Sequence, residues 1–278
     1  MIGPFLFGLA VANAVASEVV NAQVVTLPIL YAALIGAIIW TLICWYVRIP
    51  SSVSHAQIGG MIGAAIVALG VQSLERDGLI KILIALTLTV PICFLGSFML
   101  VRLCYFLTRN ATPGVNRRFN QGQVLASFTL GLAIGSNSAQ RTMGIIALGL
   151  VLTGFLPQFE IPTWVIAISA AGLAVGNLLG GRLIRTVGAK FFQIRSVHGF
   201  SVETATSTVV IITSLLGGPV STTQLTSMAV VGAGSAERLS KVRWGFVQNI
   251  LLTWVLTIPM AGLVSAVVYV ILSQFGVH

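Results

Sequence analysis

Six hydroxyl side chains fall in two short stretches of an otherwise apolar sequence: Ser51, Ser52 and Ser54 after Pro50, and Ser221, Thr222 and Thr223 after Pro219. Hydroxyls donate hydrogen bonds to an oxyanion without adding charge. Each stretch opens a run of small and apolar residues that reads as a helix. Proline fits the first helical turn, where its missing N–H is not needed, and Ser or Thr caps the N–H groups that follow. A helix start offers free backbone donors and a partial positive charge, which suits an anion. Capping alone accounts for one or two of the hydroxyls. Beside them stand His55 and Gln224, which either donate to an anion, with the histidine able to carry a proton, or serve as hydrogen-bonded packing residues.

The two stretches are copies. Laying Pro50 on Pro219, 169 residues apart, puts Ser52 on Ser221, Ser54 on Thr223, His55 on Gln224 and Gly63 on Gly232. A duplicated packing motif without a ligand is the alternative, but unsatisfied polar groups in hydrocarbon are costly, and that favours a site. A third polar stretch interrupts the apolar run 121–155 with Asn137, Ser138, Gln140, Arg141 and Thr142. The guanidinium of Arg141 matches the geometry of phosphate or sulfate; otherwise it snorkels to the interface or meets a helix C-terminus. Glu203 is a carboxylate inside an expected span, while Glu18 lies near the end of the first span. Beside an anion site Glu203 would hold a sodium ion or a proton; otherwise it is neutral and hydrogen-bonded, or pairs with Arg141 or Arg195.

Elements able to hold these residues follow from composition. The 278 residues are 56% hydrophobic and 8% charged, with a mean hydropathy of +1.00. Soluble domains carry about a quarter charged residues, so the chain is a multi-pass integral membrane protein whose surroundings are a lipid bilayer. The net charge of +9 reflects lysines and arginines gathered in cytoplasmic loops, and no nucleic-acid-binding module is present. Cys44, Cys93 and Cys104 lack metal-ligand spacing and read as buried, without disulfide or metal roles. No basic region precedes the first apolar run, so that run is expected to stay in the membrane.

Apolar segments fall near 4–22, 27–47, 51–72, 79–107, 121–155, 163–184, 197–216, 219–236 and 245–273. The long 121–155 run is expected to divide at the polar break 135–142. Arg102, Arg109, Arg117 and Arg118 flank one loop, Arg182, Arg185, Lys190 and Arg195 another, and Arg238, Lys241 and Arg243 a third; these loops are expected to be cytoplasmic. Glu75, Asp77 and Glu160 fall on the opposite side. The helix after Pro50 then runs outward and the helix after Pro219 inward. Similar sequences in opposite orientation make an inverted-topology repeat, an arrangement of secondary transporters that bind substrate near the midplane. The expected fold is all-α and polytopic, with inverted repeats and broken or re-entrant helices. Residues 1–107 form the first half, 108–120 a basic cytoplasmic loop, and 121–278 the second half.

Together these stretches resemble the inorganic phosphate transporter (PiT) family. The resemblance is carried by Ile49-Pro50-Ser51-Ser52-Val53-Ser54-His55-Ala56 with Ile58-Gly59-Gly60, by Gln140-Arg141-Thr142-Met143-Gly144-Ile145-Ile146, and by Gly199-Phe200 with Glu203. Pro219 to Gln224, Arg243-Trp244-Gly245 and Trp254 to Pro259 complete it. Two departures stand out. The family's early Gly/Asn/Asp-rich helix has a poor match in Ala12-Asn13-Ala14, so the sequence is expected to begin after that helix. In the second motif, Ile134, Ser138 and Arg141 stand where the family has His, Asp and Lys. The family's aspartates are implicated in binding cation and phosphate, and Ser138 keeps a cation ligand without its charge.

What the resemblance implies is a phosphate carrier working by alternating access, with a co-transported proton or sodium ion and no cofactor. A homodimer, a PhoU-like accessory protein and, for a bacterial source, the inner membrane are implied in the same way. Sulfate transport by the same fold and a non-transporting regulatory subunit are the alternatives. An enzyme is not expected, because no nucleophile–base set or metal cluster is visible.

Overall fold

The computed structural model describes residues 9–17, 24–47, 49, 51–112, 114–179 and 194–275. Among them there is no strand. Nine α-helices follow in order: α1 (Ala10–Ser17), α2 (Leu27–Tyr46), α3 (Val53–Leu69), α4 (Arg76–Leu107), α5 (Val115–Leu152), α6 (Thr163–Leu179), α7 (Ser196–Leu215), α8 (Thr222–Glu237) and α9 (Trp244–Gln274). By length and composition α2, α4 and α9 can cross a bilayer. Ile38 and Leu42 on α2, Ile84 and Leu88 on α4, and Leu252 and Val255 on α9 point outward. In water such faces would be a liability; against lipid they are the solvent-matched surface.

The 169-residue period of the polar stretches extends to whole elements. Helix α2 falls on α7, α3 on α8 and α4 on α9, and the 3₁₀ turn Val71–Ser73 falls on Leu239–Lys241. Pro91 and Pro259 lie inside α4 and α9, within one residue of matching places. Each removes one backbone hydrogen bond from the middle of a long helix, where bending is then cheapest.

The two largest apolar clusters repeat as well. Ala33, Met61 and Ala64 are buried in one, and their equivalents Val202, Val230 and Ala233 in the other.

The repeats exchange partners. Helix α3 of the first repeat packs on α9 of the second, and α8 of the second packs on α4 of the first. Glycine makes both contacts possible. A Cβ on Gly63 would strike the backbone of Gly262, and one on its equivalent Gly232 would strike the carbonyl of Phe94. Without a hydrophobic drive between helices in lipid, such close backbone approach is what holds a pair together. Gly59 meets Ile258 and Gly63 meets Gly262, so the contact advances in the same direction along both helices. α3 and α9 are therefore parallel.

Three sequence expectations need correction. Helix α5 runs unbroken through 135–142. Asn137 and Gln140 find partners on neighbouring elements, so nothing forces the backbone apart. It also begins at Val115, which shortens the basic loop expected over 108–120. Pro219 does not lie in the first turn of α8; it precedes the N-cap Ser221 by two residues. Pro50, the rest of the first segment and Arg182, Arg185 and Lys190 fall outside the described residues.

Candidate anion site between two helix starts

Ser52 and Ser221 are the N-caps of α3 and α8. Each has the extended backbone of a cap, and each side chain accepts the N–H of the residue three positions on, His55 and Gln224 respectively. The exchange of partners between repeats brings the two caps together, with the Ser52 hydroxyl donating to Ser221 Oγ at 2.8 Å. Two helix N-termini thus converge on one point. Their partial positive charges repel unless something anionic lies between them.

The next equivalent pair also meets. His55 Nδ1 lies 3.1 Å from the carbonyl of Trp254 and 3.3 Å from the amide of Gln224. A carbonyl only accepts, so in that bond the ring proton sits on Nδ1, while in the other tautomer Nδ1 accepts from Gln224 Nε2. Ser54 is buried and donates to the carbonyl of Val220 at 3.4 Å, and Ser51 lies 3.3 Å from the Thr257 hydroxyl. Thr222 is half-buried and Thr223 exposed, so the second repeat does not reproduce the role of Ser54.

Helix α5 supplies the third wall. Asn137 is fully buried and donates to Ser214 Oγ at 2.9 Å and to the Gly218 carbonyl at 3.3 Å, while accepting from the Val220 N–H at 3.4 Å. Gln140 accepts from the Val11 N–H and donates to Ser136. Arg141 is 6% exposed. Its Nη2 donates to Ser138 Oγ at 3.2 Å, but Nε and Nη1 are buried without any hydrogen-bond partner. Beside it lies a cavity of about 30 Å³ lined by Ser54, Gln57, Arg141, Pro219 and the apolar Ile58, Met61, Ile82 and Ile145.

Two expected residues are not brought to this point. Thr142 is exposed on α5. Glu203 accepts from Ser127 at 2.7 Å, in the α5–α7 interface about 15 Å along the helix from Asn137. It pairs with neither Arg141 nor Arg195. Arg195 instead joins His198 and Lys241 around Glu237, at the far end of α8.

Sequence reasoning missed Gln57, Ser214, Trp254 and Thr257. The repeat itself pointed toward Trp254 and Thr257, because a helix exchanged between halves must meet residues of the other half. Nothing local distinguishes Ser214 from other helical serines.

An apolar bundle of inverted repeats, with half-length helices starting from a shared polar midpoint, has the architecture of a membrane carrier. The sequence profile of the phosphate transporter family matches residues 1–265. A probable low-affinity inorganic phosphate transporter of Rhizobium meliloti is 39% identical, over 95% of this chain and 80% of its own length. One of the same description from Bacillus subtilis is 36% identical, over 88% of this chain and 75% of its own. A solved structure described as the sodium-dependent phosphate transporter has the same fold, with a TM-score of 0.87 at 24% identity, covering 98% of this chain and 87% of that one. The chain belongs to the phosphate transporter family.

Proposed function

We propose that this chain carries inorganic phosphate across the membrane by alternating access, holding the anion between the starts of α3 and α8 and against Arg141. The observation that carries this reading is the guanidinium. Nε and Nη1 of Arg141 are buried and unpartnered beside Ser54 and Gln57. A buried charge left unpaired costs several kcal/mol, and an entering oxyanion would relieve that cost. These two nitrogens lie on different edges of the guanidinium, and each offers a donor to such a ligand.

The cavity of about 30 Å³ has room for one or two waters and no more. Phosphate therefore enters only if the helix starts part, breaking the Ser52–Ser221 and Ser54–Val220 hydrogen bonds. A proton or sodium ion moving with phosphate belongs to the same reading.

The test is labelled phosphate uptake into proteoliposomes holding only the purified chain, with and without a proton or sodium gradient and with sulfate as competitor. Saturable uptake that sulfate leaves largely intact is expected. Its absence in protein shown to be folded would overturn the proposal, and uptake of sulfate in preference to phosphate would replace the substrate.

A further inference from the structure

We infer that Asn137 is a positioning residue, holding the turn that presents the start of α8, and not a ligand of the transported anion. The inference rests on the site proposed above. Both Nδ2 protons of Asn137 are committed, one to Ser214 Oγ and one to the Gly218 carbonyl. An asparagine has no further donors, so none is left for an oxyanion. Its Oδ1 accepts from the Val220 N–H, and an oxygen that accepts would repel an anion.

The turn needs this support. Helix α7 ends at Leu215 and Gly217 turns the chain with a φ of 76°. Gly218 bonds back to the Thr213 carbonyl at 2.8 Å. Pro219 has no N–H, so the next donor is that of Val220, which is fully buried. Buried backbone donors are almost always paired, and Asn137 is what pairs this one. Ser214 in turn donates to the Val210 carbonyl at 2.7 Å, so its hydroxyl is fixed as the acceptor that orients the asparagine. Three elements are locked together one residue before the cap Ser221.

Asn137 and Arg141 are four residues apart on α5 and so share a face. The helix therefore sets the spacing between the guanidinium and the N-terminus of α8. The first repeat shares the backbone bond of this turn, the Ile49 N–H on the Cys44 carbonyl matching Gly218 on Thr213, but its side-chain support is Ser51 against Thr257.

Two measurements on the full chain test this. In hydrogen–deuterium exchange in detergent without phosphate, Asn137→Ala should speed exchange of the Val220 to Gln224 amides about tenfold and leave those near His55 unchanged. In phosphate uptake, Asn137→Ala and Ser221→Ala should each lower efficiency, and the double variant should be no worse than the worse single within about threefold. Unchanged exchange, or uptake losses that multiply, would overturn the inference and make Asn137 an independent ligand. Should Asn137→Ala not fold, Ser214→Ala removes one of the three bonds and should raise exchange at Val220 about threefold; no rise overturns the inference. Absence of uptake by the unsubstituted chain would refute the proposed function, while the exchange measurement would still decide the role of Asn137.

Discussion

Ser52 and Ser221, equivalent residues 169 positions apart, share a 2.8 Å hydrogen bond that joins the two helix starts. Each hydroxyl also caps its own helix, so replacing either removes a cap and a link at once. Ser52→Ala or Ser221→Ala should cost about 1 kcal/mol of stability through the cap. Either should lower phosphate uptake efficiency about five- to thirtyfold through the lost donor. Melting temperature and uptake kinetics on the same preparations separate the two effects; unchanged uptake in both variants would remove the helix starts from the site.

Arg141 should show stability and function pulling in opposite directions. Its guanidinium is buried with two unpartnered nitrogens, so Arg141→Met relieves an uncompensated charge. The variant should melt higher by an amount corresponding to about 1–4 kcal/mol, the range found when buried ions give way to packed apolar residues. Phosphate uptake should fall at least about tenfold. A variant that melts lower and still transports would mark Arg141 as structural.

Glycines at the exchanged contacts should be intolerant in both repeats alike. Gly63→Ala and Gly232→Ala place a Cβ on the backbone of Gly262 and Phe94 respectively, and should each destabilise by about 1–3 kcal/mol or more. Gly131 and Gly172, where an added Cβ meets nothing, should accept Ala with a gain of up to about 1 kcal/mol from helix propensity. Detergent melting of the four variants checks this, and equal behaviour of all four would contradict the packing.

Opposite orientation of the repeats can be read chemically. Gln72 and Lys241 are equivalent residues in the two 3₁₀ turns. In a cysteine-free background, Gln72→Cys and Lys241→Cys should react with a membrane-impermeant maleimide from opposite sides, Lys241→Cys from the cytoplasm. Labelling from one side would exclude the inverted arrangement.

Most of the helical frame was legible in sequence because apolar length is a direct signal in membrane proteins. The segments placed near 27–47 and 197–216 became α2 and α7 within a residue or two. The meeting of Ser52 with Ser221 followed from the repeat, since equivalent residues approach one another across a pseudo-two-fold axis. The break expected in α5 did not, because Asn137 and Gln140 are satisfied by Ser214, Gly218 and Val11, all distant along the chain. Polarity inside an apolar run signals either a broken helix or a lateral partner, and only the fold distinguishes them. Glu203 shows the same limit: its partner Ser127 could not be chosen over Arg141 from sequence.

The exchange of helices between repeats also bears on how the chain is made. Helix α3 is complete at Leu69, but its packing partner α9 begins only at Trp244. At about 5–20 residues per second of synthesis, α3 waits roughly 10–35 s for that partner to emerge. Helix α8 meets no such delay, since α4 is already in place. For that interval the hydroxyl-bearing start of α3 and its glycine face stand in the bilayer without their partner. Insertion is thus asymmetric in time although the six paired helices are nearly symmetric in space, and the first repeat waits longer for its partner.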